Sequence, residues 1–93
     1  MGFVVEVARR LGVKPEVLEK DAVKLWLRRR LKLVEAEIAA VLSRYNVGDP
    51  EELRARIEQG AVPEHPAWED LVILENLVKE RERIVEVLRV TER

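Results

Sequence analysis

The stretch "EVLEKDAVKLWLRRRLKLVEAEIAAVLSRY", residues 16–45, runs without a proline or a glycine. Within it Val23, Leu27, Leu31, Val34, Ile38, Val41 and Tyr45 follow one another at intervals of four and three. That spacing keeps apolar side chains on one face of an α-helix and resembles the seam of a coiled coil. At 1.5 Å per residue, about 30 residues make a rod roughly 45 Å long. A 93-residue chain is too short to cover such a rod on every side. The seam is therefore expected to be covered by another subunit.

Working outward, Pro15 suits the first turn of this helix, where a missing N–H costs little. Upstream, "FVVEV" (3–7) is β-branched and could form a short strand. Equally, Val4, Val7, Ala8 and Leu11 fall at helical spacing, and Gly12 suits a helix stop. The expectation for 3–11 is a helix, with a strand at its start as the rival. Downstream, "NVGDPEEL" ends the long helix and opens another, with Gly48 accommodating the turn. Asp49 suits an N-cap, Pro50 the first position, and Glu51 and Glu52 the positive end of the helix dipole. Leu53 and Ile57 share a face of this short helix, which runs to about Gln59 and stops at Gly60.

Pro63 and Pro66 make "VPEHP" a stiff, extended connector, because each fixes its own φ and biases the preceding residue away from helix. Pro66 then begins a last helix reaching to about residue 90, with Trp68 as an apolar anchor at its entry. Leu71, Leu74, Val78, Val85 and Leu88 form its apolar face, widened by Leu77 and Ile84. Arg81 interrupts that face, either snorkelling outward or meeting an acid across the seam. The expected architecture is all-α and a single helical domain over 1–93. Two long helices form an antiparallel hairpin with a short helix between them, and a short N-terminal helix precedes the pair. Two such hairpins about a two-fold axis would make a four-helix assembly. The expected partner or dimer interface is Val23, Leu27, Leu31, Val34, Ile38, Val41, Leu74, Val78, Val85 and Leu88.

Composition narrows the function classes. Charged residues are 38% of the chain, 17 basic against 18 acidic, and cysteine is absent. Ser43, Thr91 and Gln59 are each the only residue of their type. This depletion of uncharged polar residues suits a thermophile's protein, although a helix-rich chain favours the same residues. The balanced charge creates no global field toward nucleic acid or membrane. No segment reaches the roughly 18 apolar residues that span a bilayer, and "MGFVVEVARR" lacks the pattern of a signal peptide. A cytoplasmic protein is expected.

Chemistry is sparse. Neither Ser43 nor Thr91 has His65 as an obvious partner, and His65, between two prolines, lacks the companions a metal site needs. Its expected role is a capping or hydrogen-bonding one. No cofactor, metal or catalytic residue is expected. The one candidate nucleic-acid patch lies in "LRRRLKL" (27–33), where Lys24, Arg28 and Lys32 form a row at i, i+4. Glu35 dilutes it, and a solvated helix flank is favoured over phosphate contact.

Two resemblances add to this reading. "VARRLGVKPEVLEKDAVKLWLRRRL" (7–31) resembles the helical part of ribbon-helix-helix proteins, with Leu18, Ala22, Leu25 and Trp26 in its core. That family's members are dimeric DNA binders, many of them antitoxins, which read bases from an N-terminal strand. The candidate strand "GFVVEV" offers only Glu6 as a charged residue. Residues 18–78 resemble small archaeal proteins of antitoxin type, through "LWLRRRL", "RYNV", "DPEELRARIEQGAVPEHPAWEDL" and "ENL". The resemblance implies a non-enzymatic interaction module, a partner of a toxin encoded nearby. The alternatives are a DNA-binding regulator of ribbon-helix-helix type and a purely structural assembly protein.

Overall fold

A computed structural model describes residues 2–92. Four helices follow in chain order: α1 (Phe3–Leu11), α2 (Pro15–Tyr45), α3 (Pro50–Glu58) and α4 (Glu64–Thr91). No strand occurs among the described residues, so the strand alternative at Phe3–Val7 is overturned. The helical period wins there because it places Ala8 wholly out of solvent, with Val4, Val5 and Val7 half-buried beside it. α1 packs on α2.

The helix ends follow their local chemistry. Gly12 closes α1 at φ 71°, and the Val13 amide donates to the Ala8 carbonyl at 3.0 Å across it. The left-handed conformation costs a residue with a Cβ and costs glycine nothing. At the end of α2 the left-handed position falls on Asn46, φ 53°, not on Gly48. Asn is the other residue that tolerates this region, because its short amide can bond locally. The Asp49 side chain accepts from the Glu52 amide at 2.8 Å, and the Glu52 carboxylate accepts from the Gly48 amide at 2.7 Å. This reciprocal pair satisfies orphan donors at the start of α3 in the manner of a capping box. His65 has extended backbone, φ −113° and ψ 122°, so the continuous part of α4 begins at Pro66, as the two prolines dictate.

α2 and α4 lie antiparallel. Their ion pairs show it: Arg28 meets Glu92, Arg30 meets Glu80, and Arg44 meets Asp70. Between the rods runs one core, which includes Leu27, Val34, Ile38 and Val41 from α2 and Leu71, Leu74, Leu77, Ile84 and Leu88 from α4. α3 closes one end of it with Leu53 and Ile57, both buried. Arg54 of α3 reaches Glu75 at 2.8 Å and lies 5.7 Å from the centre of the Trp68 ring, which ties α3 to α4. The molecule is 60 Å long and 24 × 19 Å across. Its radius of gyration, 19.1 Å, exceeds the roughly 13 Å of a 100-residue globule.

The antiparallel packing corrects one expectation. Leu27, Val34, Ile38, Val41, Leu74 and Leu88 are buried, and Leu31 and Val78 are half-buried against the same core. The seam expected to await another subunit is covered by α4 of the same chain. A 28-residue helix is long enough to lie along nearly all of a 31-residue one, so each rod provides the other's cover. Only Val23 and Val85, toward the open end of the hairpin, remain exposed.

Candidate interaction surface

With the seam closed, the apolar residues still facing solvent define the surface that could bind. Two groups of them stand out, beside Val23, Leu25, Val72, Val85 and Val90 elsewhere on the two rods. At the turn from α1 to α2, Leu11, Val13 and Val17 are exposed, and Phe3 is exposed at the start of α1. Along the hairpin, one flank shows Trp26 (63% exposed) and Leu33 (56%) from α2, with Ile73 and Val87 from α4. Trp26, Arg29, Arg30 and Leu33 line an open cleft there. The other flank carries α3 at one end.

Helical geometry explains why Trp26 and Leu33 stay outside. At 100° per residue they lie roughly 80–100° round the helix from Val34, beyond the arc that α4 can touch. None of Trp26, Leu33, Ile73 and Val87 belongs to the interface expected from the sequence. A repeat at seven residues, Trp26 to Leu33 to Ala40, was the available signal.

Arg30 and Glu80 stand in the middle of this flank. Arg30 Nε and Nη2 donate to the two carboxylate oxygens of Glu80 at 2.6 and 3.0 Å, a two-pronged pair on partly buried side chains. Such a fork fixes both side chains in one plane and sets the register of α2 on α4. The guanidinium holds the Glu80 carboxyl below the usual carboxylate range. A carboxyl lowered in the folded state contributes stability above its unfolded pKa. That contribution is lost as pH falls through the folded value. Glu80→Gln should therefore flatten the acid limb of stability. Urea midpoints for both proteins, from neutrality to about pH 3, measure this; parallel acid limbs would show that the pair contributes nothing.

The candidate nucleic-acid row stays together on the continuous helix α2. Lys24 is half-buried, Arg28 is paired with Glu92, and Lys32 is exposed on the far side of α2 from the seam. The row does not stand clear of acids, and the strand from which ribbon-helix-helix proteins read DNA is helical here. Arg81 is half-buried in the seam and forms no ion pair among the described residues. His65 is exposed, and its Nδ1 lies 2.8 Å from Glu69 Oε1, one turn into α4. Glu69 is held below the usual carboxylate range by backbone hydrogen bonding at the helix start and then by His65. Among the described residues no three His, Cys, Asp or Glu side chains gather into a set that could hold a metal. No helix there is long and apolar enough to cross a membrane.

Comparison with known proteins places the chain. No curated protein and no solved structure matches it. Residues 1–92 match the family model described as "Uncharacterized protein MJ0235 family", and the chain belongs to that family.

Proposed function

We propose that this protein is a non-enzymatic, cytoplasmic interaction module of antitoxin type. It self-associates and binds a protein toxin encoded beside it. The observation that carries this reading is the exposed apolar group along α1 and its turn into α2. Phe3, Leu11, Val13 and Val17 stay in solvent although the same chain has closed its long seam. Apolar surface left over after folding is characteristic of a binding site for another protein, and a short amphipathic helix is a common way to present it. The resemblance of residues 18–78 to archaeal antitoxin-type proteins supplies the partner's class. Ion pairs that join α2 to α4 support the heat-tolerant character suggested by composition, since charge networks gain weight at high temperature.

Co-expression with the product of the adjacent gene is the test. The wild type should suppress its toxicity and co-purify with it. Leu11→Asp with Val17→Asp should weaken capture by about a hundredfold, the loss of two apolar anchors, while the melting temperature stays near that of the wild type. Neither suppression nor a complex would sink the proposal.

A further inference from the structure

α2 carries a second apolar row that the hairpin leaves open. Trp26, Leu33 and Ala40 recur every seven residues. On α4, Ile73, Glu80 and Val87 recur at the same interval. The Arg30–Glu80 pair fixes both rows on one side of the hairpin. It also aligns their centres: Leu33 is within one turn of Arg30, and Glu80 is the middle of its own row. From these placements we infer that this face binds a second copy of the chain. The two copies meet face to face about a two-fold axis that crosses the hairpin at the level of Leu33 and Glu80. The inference deepens the self-association in the proposed function and rests on it.

The two-fold makes the face complementary to itself. It lays α2 antiparallel on α2 and α4 antiparallel on α4. Leu33 then meets Leu33. Trp26, the largest side chain of the row, lies opposite Ala40 of the second copy, the smallest. Ile73 lies opposite Val87. Charges match as well. Arg29 and Arg30 come level with Glu37 of the second copy. Within one subunit Glu37 is a full heptad from Arg30, about 10 Å along the helix. Among the described residues neither Arg29 nor Glu37 has an ion-pair partner of its own. Glu80 sits at the axis already neutralised by Arg30, so the two copies present paired rather than bare carboxylates to each other. A foreign partner would have no use for apolar residues and opposite charges disposed evenly about one level; a second copy does. A flank 60 Å long on a molecule 24 Å wide has room for the roughly 800 Å² per partner that a standard interface buries.

Crosslinking tests the axis directly, because the chain has no cysteine of its own. In Leu33→Cys the two thiols should come within the roughly 7 Å between Cα atoms that a disulfide tolerates. Mild oxidation should convert most of the protein to a covalent dimer. Ala39→Cys, exposed on a different face of α2, should stay uncrosslinked. In the cysteine-free chain, Arg29→Glu or Glu37→Arg should each weaken the dimer by about tenfold, and the pair of reversals together should restore it. Both sites are exposed, so neither change threatens the fold. A wild-type monomer by light scattering overturns the inference, as does equal crosslinking at 33 and 39. A dimer that fails to crosslink at 33 also overturns it, yet leaves self-association standing. Toxin capture, read separately, reports on the α1–α2 turn.

Discussion

Leu74→Ala should lower stability by about 3 kcal/mol, the middle of the range for emptying a buried leucine site. Leu74 is fully out of solvent, and so are Val34 of α2, Leu53 of α3 and Leu71 one turn earlier on α4. This is where three helices share one core, and α2 and α4 are held straight by their own hydrogen bonds. A cavity there cannot collapse easily, so the lost methyl and methylene contacts are not recovered. In a domain of this size each kcal/mol moves the melting temperature by about 4–8 °C, which puts the expected drop near 15 °C. Val72→Ala, half in solvent two residues away, should change stability by less than about 0.5 kcal/mol. Thermal melts at one fixed protein concentration compare the two, since association raises apparent stability. A Leu74→Ala protein melting within a few degrees of the wild type would mean that α2, α3 and α4 do not share this core.

The second large effect is expected at the closed end. The Asp70 carboxylate accepts from the Tyr45 hydroxyl and, at 2.9 Å, from Arg44 Nη1. Its side chain is only 13% exposed. Asp70→Ala strands a half-buried phenol and should cost about 2 kcal/mol, as removal of a charged acceptor does. Tyr45→Phe removes the donor and leaves the carboxylate with Arg44, so about 1 kcal/mol is expected. The double variant should be little worse than Asp70→Ala alone, because both act on one hydrogen bond. pH supplies an independent readout. Burial first, and the Asp70 carboxylate second, push the Tyr45 phenol above its ordinary value. A group raised on folding contributes stability below its unfolded pKa and loses it as pH rises through the folded value. The wild type should weaken above about pH 10, where free phenols ionise. Tyr45→Phe should show less of that weakening. Urea midpoints from neutrality to about pH 11 decide it; an unchanged alkaline limb would remove Tyr45 as its source.

Much of the fold was legible because helix boundaries are local chemistry. Pro15, Gly12, the Asp49–Pro50 start and the two prolines around His65 each act within a few residues of themselves. The entry of α4 at Pro66 could be read off, and so could the all-α class. The left-handed residue that ends α2 is Asn46, one of the few types besides glycine that tolerate that region. Residues 3–11 form the expected helix; β-branching in "FVVEV" left a strand as rival, and the packing of α1 on α2, with Ala8 wholly out of solvent, decides against it.

The candidate surface was less legible. The strongest heptad row, from Val23 to Tyr45, reads in sequence as the place where another molecule binds, and from Leu27 onward it is the subunit's own core. A seam in sequence shows that something covers it, without showing what. The weaker row, Trp26–Leu33–Ala40, is the one left open, and only three residues at seven-residue spacing mark it in sequence.

The sequence by itself determined the helices, their ends and their apolar faces, because these follow from spacing along the chain. Only the tertiary structure decided which face is core and which is surface. That choice depends on where α4 comes to rest against α2. The resting place is set by matched rod lengths, by the turn through α3 and by the Arg30–Glu80 and Tyr45–Asp70 contacts between residues far apart in the chain.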